Sequence, residues 1–171
     1  MRTIAAVLLL CPLIGCGSGG ADYSSPSKTV LTLQEAYRNE DIEAAVSCND
    51  FVAEARIKLA EHTNEDDDLI NVTAKQLEKD FRDKIRRGGF PDVSEIKSEF
   101  GEPTQHETHS DVTQITETVS WSNDRKSTEN YSLVKSGSEW KLVFAVSSMP
   151  YNRIPAPVEK EGDEKKTEDR N

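Results

Sequence analysis

The hydrophobic pattern of this chain changes at Gly88-Gly89, and that change limits the folds open to it. Before the two glycines, apolar residues recur every three to four positions, as on one face of a helix. After Pro91 they alternate with polar residues, as on a half-buried strand. Helices in the first half and strands in the second predict an α+β domain.

The first helices are predicted from apolar spacing and from capping residues. Val30, Leu33 and Tyr37 fall on one face of a helix. Asp41 is a suitable N-cap for a second helical stretch, because its carboxylate can accept from backbone N–H groups of the first turn. That stretch continues to about residue 60, and a break is expected near Asn49.

A longer helix is predicted over Thr73–Arg87. Thr73 with Gln76 three positions later matches a capping box, and Gly88-Gly89 favours the end of the helix. The four carboxylates of residues 65–68 lack the alternating acidic positions, the glycine and the distal glutamate of a calcium loop. We therefore predict a solvated loop there.

The second half predicts four strands, the last two joined by a tight hairpin. Their β-branched and aromatic content suits a half-buried sheet. Ser136-Gly137-Ser138 is a hairpin signal. The last strand is apolar on both faces, which favours a central position in the sheet. The predicted strands lie within residues 94–100, 113–121, 131–134 and 140–146.

The order of these elements, with "NEDIEAAVS" early and "YSLVKSGSEWKLV" late, resembles the nuclear transport factor 2-like, or cystatin-like, superfamily. The resemblance implies N-terminal helices packed on a curved antiparallel sheet that forms a cone, over residues 28–149. Such families contain isomerases, dehydratases and cyclases as well as non-catalytic binding domains. Fold alone therefore does not decide between an enzyme and a binding protein.

The N-terminus predicts export and a lipid anchor. Residues 1–15 contain one positive charge and a short apolar core, as a signal peptide does. Leu13-Ile14-Gly15-Cys16 resembles a bacterial lipobox, which implies cleavage before Cys16 and acylation of that residue by thioether and amide-linked chains such as palmitate. The alternative is ordinary secretion with cleavage near Gly20-Ala21.

The segments on either side of the domain are predicted to be a tether and a tail. Residues 16–27 begin with glycine and serine, as a flexible tether does. Residues 150–171 form the predicted tail, which from Glu159 onward is charged and has almost no apolar residue, so disorder is expected. Gly17 weakly favours the outer membrane over the outside of the cytoplasmic membrane.

The composition restricts partners. The formal charge is −10, which argues against nucleic acid and would favour a basic protein partner.

Cys48 is expected to be a small buried hydrophobe. His106 and His109 are three apart, so in a strand they would point to opposite faces and form no metal site.

We find no set of residues that predicts a catalytic site, a metal site or a bound cofactor. The leading hypothesis is an envelope lipoprotein with a non-catalytic domain that binds a small molecule or protein, or acts as a scaffold. One alternative is a pocket enzyme of isomerase or hydrolase type, which would need a carboxylate pointing into the cone. Another is an acidic immunity or inhibitor protein that blocks a basic partner.

Overall fold

The computed structural model describes residues 20–60, 66–122 and 125–145. The predicted signal peptide 1–15, the acylated Cys16 and the tail 150–171 lie outside those residues. The helices are α1 (Pro26–Arg38), α2 (Ile42–Ser47), α3 (Phe51–Leu59) and α4 (Asp67–Gly88). The strands are β1 (Lys97–Phe100), β2 (Thr104–Gln105), β3 (Val112–Ser120), β4 (Lys126–Ser136) and β5 (Glu139–Val143).

The strands form an antiparallel sheet in the order β1-β3-β4-β5, and β2 pairs with β3. The register places Ile115 opposite Tyr131 and Leu133 opposite Leu142. These side chains share one face of the sheet, and they belong to the main core together with residues of α1. The predicted α+β class, with helices packed on an antiparallel sheet, is confirmed.

The core has parts on both faces of the sheet. The buried positions of α1 recur every three to four residues, so the helix lays one face on the sheet. On the opposite face, Val112, Val134 and Val143 form a separate cluster that Ala53 and Ile57 of α3 cover. Because helices cover both faces of the sheet near β5, the strands there have apolar side chains on both faces.

Two aspartates start helices in the first half. The Asp41 carboxylate accepts from the backbone N–H of Ala44 at 2.9 Å, and it caps α2 as predicted. Asp50 does the same for α3, with the N–H of Ala53 at 2.9 Å. The break expected near Asn49 is therefore confirmed, because it separates two independently capped helices.

The predicted start of the long helix is wrong. Helix α4 begins at Asp67, and its N-cap is Asp66, whose carboxylate accepts from the N–H of Asp68 at 2.9 Å. Thr73 lies inside the helix, and Gln76 bonds to Asp80 instead of closing a capping box. Asp66 and the first-turn acids thus belong to the helix start, where carboxylates are favourable, and not to a loop.

The predicted central position of the last strand is also wrong. β5 lies at the end of the strand order and pairs with β4 alone among the five strands. Its outer edge bonds to the α2–α3 junction, because the N–H of Leu142 donates to the Cys48 carbonyl and its carbonyl accepts from Asp50. Backbone from outside the sheet therefore covers this edge, and helices cover both faces, so an edge strand can be apolar on both faces.

Within the described residues, we find no helix with the length and apolar character needed to cross a bilayer.

Candidate functional site

Glu117 is a fully buried carboxylate between α1 and the sheet. Its Oε1 accepts a hydrogen bond from Nε2 of Gln34 on α1, at 2.6 Å. Its Oε2 accepts from the hydroxyl of Tyr131 on β4, also at 2.6 Å. The Gln34 amide also bonds to Ser98 on β1 at 3.2 Å. One buried polar network therefore joins α1 to three strands.

The network is closed to solvent at Gln34, Glu117 and Tyr131, while Ser98 at its end is half-buried. Gln34 and Glu117 are 0% exposed, and Tyr131 is 1% exposed. Burying a carboxylate is costly unless hydrogen bonds replace its hydration, and here both oxygens accept from protein donors. An inward carboxylate beside a tyrosine is what the enzyme alternative requires. A substrate cannot reach the pair in this conformation. The hydrogen bonds therefore stabilise the packing of α1 on the sheet and do not expose a reactive group.

Sequence reasoning missed Glu117, although one signal was available. Glu117 lies in phase with Ile115 and Val119, the apolar face of β3, and all three are buried. A carboxylate at an apolar-face position of a strand indicates a buried polar partner. The partners themselves could not be identified, because Gln34 is distant in sequence from the strand.

Glu54 is a second buried carboxylate, on α3, with 3% exposure. Burial raises the pKa of the Glu54 carboxyl, although a backbone hydrogen bond from Phe144 and the charge of Lys58 act in the opposite direction. The ammonium of Lys58 lies 3.6 Å from Oε1 of Glu54. Glu54 therefore sits where α3 meets the end of β5.

The raised pKa of Glu54 makes the stability of the protein depend on pH. The folded state holds the proton more tightly than the unfolded chain, so the contribution of Glu54 is complete below the ordinary value of 4.5 and is lost as pH rises through the folded pKa. We expect Glu54→Gln to gain stability relative to wild type between about pH 4 and about pH 8. Urea denaturation at both pH values measures this.

The exposed Glu102→Gln is the matched control for Glu54→Gln, and we expect it to follow the wild-type pH profile. Equal pH slopes for Glu54→Gln and wild type would contradict the raised pKa.

A groove of about 330 Å³ lies between the start of α3 and the middle of α4. Asn49 lines it, and its Oδ1 is buried without a hydrogen-bond partner in the described part of the chain, while its Nδ2 donates to the carbonyl of Ala45 at 2.7 Å. Charged residues of both signs and one exposed apolar side chain, Val52, also line the groove. The other polar lining residues are Asp50, Asn71, Lys75 and Glu78.

Cys48 is fully buried at the end of α2, as predicted for a small hydrophobe. Its thiol donates to the Ala44 carbonyl at 3.3 Å. Burial raises the pKa of the Cys48 thiol to about 11, so little thiolate forms near neutral pH. This environment is typical of a structural cysteine and not of a nucleophile.

His106 and His109 lie closer together than expected. Their ring centroids are 5.1 Å apart, because both residues belong to the bend between β2 and β3 and not to a continuous strand. The prediction of opposite faces is wrong for that reason. Among the residues that the structure describes, no three or more His, Cys, Asp or Glu side chains are arranged to hold a metal ion.

The basic residues near the end of α4 contact carboxylates. Arg82 donates to Glu43 on α2 at 2.9 Å and to Glu78 on its own helix at 2.8 Å. Hydrogen bonding from Arg82 lowers the pKa of the Glu43 carboxyl. Arg86 lies 3.6 Å from a carboxylate oxygen of Asp83. Arg82 therefore ties α4 to α2, which leaves less positive charge there for an acidic partner.

Comparison with known proteins gives no family for this chain. No family model matches the chain, and no curated protein matches it. A crystal structure from Campylobacter jejuni, described only provisionally as an NTF2-like transpeptidase, is similar at 20% identity with a TM-score of 0.34. The match covers 70% of this chain and 98% of that one. No residue's role is taken from this likeness.

Proposed function

We propose that the protein is a bacterial envelope lipoprotein, anchored through Cys16, whose α+β domain binds a ligand without catalysing a reaction. The lipobox-like Leu13-Ile14-Gly15-Cys16 and the short apolar segment before it support the anchor. Several acyl chains hold a protein on a bilayer where one chain gives only marginal binding.

Two alanine variants test the anchor. Cys16→Ala is expected to abolish incorporation of labelled palmitate and to leave the signal segment uncleaved at that position. Cys11→Ala, which changes a cysteine inside the predicted signal peptide, is the matched control and is expected to keep both. Mass spectrometry of the mature N-terminus measures both the cleavage position and the attached lipid. A wild-type N-terminus at another residue, or one without lipid, would contradict the anchor.

The groove between α3 and α4 carries the binding part of the proposal. Its volume of about 330 Å³ is at the small end of ligand pockets. The ammonium of Lys75 can bind a carboxylate, and the carboxylate of Glu78, whose Oε1 also accepts from Arg82, can bind an ammonium group. These groups together suit a small zwitterion, such as an amino acid or a dipeptide.

Binding of free amino acids and dipeptides, measured by thermal shift and then by calorimetry, tests the groove. We expect at least one of them to raise the melting temperature, and Lys75→Gln to weaken its binding about threefold to fivefold. Lys79→Gln, an exposed lysine one turn further along α4, is the matched control and should bind as wild type. Equal affinities of the two variants for the ligand would contradict this binding site. So would the absence of any compound that raises the melting temperature.

A pocket enzyme is the second candidate, and the Glu117–Tyr131 pair favours it. The pair has the chemistry of a general acid and base, since a carboxylate can take a proton and a phenol can give one. Its complete burial counts against this role, because catalysis needs contact with a substrate.

A further inference from the structure

Asp22 and Tyr23, which follow the predicted lipid site by six and seven residues, are hydrogen-bonded to the domain beside the β4–β5 hairpin. The backbone N–H and C=O of Asp22 both bond to the hydroxyl of Thr32, at 3.1 Å each. The Asp22 carboxylate lies 2.9 Å from the ammonium of Lys28. The Tyr23 carbonyl accepts from the N–H of Trp140 at 2.8 Å. The domain therefore begins at Asp22, ahead of α1.

The remaining chain between Cys16 and Asp22 is short. Six Cα–Cα steps span at most about 22 Å even when fully extended. A domain of this size has a diameter of about 35 Å. A lipid on Cys16 would therefore keep the surface around Asp22 close to the membrane, because the linker is too short for the domain to turn over.

That surface carries aromatic and basic side chains, which we call the anchor-side rim: Tyr23, Lys28, Lys135, Trp140 and Lys141. Nζ of Lys141 lies 3.5 Å from the ring centroid of Tyr23, and Nζ of Lys135 lies 6.0 Å from the ring centroid of Trp140. Tryptophan and tyrosine are favourable at the headgroup level of a bilayer, and lysines are attracted to anionic lipids.

The charge of the rim differs from that of the whole chain. Asp22 and Glu139 each pair with one rim lysine, so two carboxylates face three ammonium groups. The chain as a whole has a formal charge of −10. An anionic bilayer would therefore repel most of the protein and attract this side of it.

We propose that the anchor-side rim lies against the headgroups of an anionic membrane, so that the β4–β5 hairpin points at the bilayer. This inference depends on the lipid anchor of the proposed function and adds an orientation to it. The opposite end of the sheet points away. Lys126 begins β4 there, about 30 Å along the strand from Lys135, and the N–H of Trp121 donates to the neighbouring Arg125.

The two tryptophans of the chain report the orientation directly. Trp121→Phe leaves only Trp140, in the anchor-side rim, and Trp140→Phe leaves only Trp121, at the far end of the sheet. The full lipidated protein is inserted into phosphatidylglycerol-containing vesicles that carry a dansyl-labelled headgroup lipid. Energy transfer to dansyl is expected to be at least about threefold stronger from Trp140 than from Trp121, given their separation along the sheet. Thermal unfolding checks that both variants are folded.

A pair of matched lysine variants tests the charge. Lys135→Glu is expected to lower the ratio of docked to undocked protein at least about fivefold, seen as weaker transfer from Trp140. Lys126→Glu, an exposed lysine at the other end of the same strand, should leave the transfer unchanged.

Flotation of the vesicles separates the two possible failures. Equal transfer from both tryptophans, or stronger transfer from Trp121, in protein that floats with the vesicles overturns the orientation and leaves the anchor intact. Protein that does not float and whose N-terminus carries no lipid overturns both the orientation and the anchor.

Discussion

Replacing Leu33 by alanine is expected to lower the free energy of unfolding by about 3–5 kcal/mol. Leu33 is 0% exposed where α1 meets the sheet, in the same cluster as Tyr131 and Leu142. Its removal leaves a cavity that the hydrogen-bonded strands cannot close by collapsing. The loss is a large part of the roughly 5–15 kcal/mol that stabilises an ordinary domain. Urea denaturation followed by circular dichroism measures it.

The same helix provides the control. Leu31 is 43% exposed on α1, so Leu31→Ala removes much less buried surface and is expected to cost less than about 1 kcal/mol. The two variants have the same helix propensity and differ only in the environment of the leucine. Similar losses for both would contradict the packing of α1 on the sheet.

The sequence predicts this packing well because the information is local. The three-to-four residue spacing of Val30, Leu33 and Tyr37 identifies the buried face of α1, and all three are buried. Asp41 caps α2 through a carboxylate three residues from its partner, so its role also follows from neighbours in sequence.

The start of α4 could not be predicted from local signals, because two candidate caps compete. The Thr73 capping box and the Asp66 carboxylate are both adequate N-caps. The extra helical turns bury Ile70 against Ala55 of α3, and this contact between helices favours the earlier start. A tertiary contact therefore decides between two possible helix starts whose N-caps are of similar strength.

The polar network at Glu117 was even harder to predict from the sequence. The alternation of apolar and polar residues on β3 can indicate that position 117 is buried. It does not identify the groups that donate hydrogen bonds to the carboxylate. Its partners Gln34 and Tyr131 come from a helix and from another strand, and only the packed fold brings them within 2.6 Å. The same holds for β5, whose outer edge is covered by the α2–α3 junction.

Tyr131→Phe is expected to lower the free energy of unfolding by about 2–3 kcal/mol, because a buried carboxylate oxygen of Glu117 loses a hydrogen bond. The substitution removes one oxygen and leaves the ring packing unchanged. Thr128→Val removes an exposed hydroxyl from the same strand and is expected to change stability by less than about 0.5 kcal/mol. Urea denaturation of both variants measures the difference.

A double variant shows whether the loss belongs to the Glu117–Tyr131 pair. Glu117→Gln replaces the charge by a neutral amide, which is less costly to bury than a carboxylate with a missing partner. Adding Glu117→Gln to Tyr131→Phe is therefore expected to restore part of the lost stability, as coupled residues do. A Tyr131→Phe variant as stable as wild type would contradict the structural role of the pair. It would leave the tyrosine and the carboxylate available for the chemistry of the enzyme alternative.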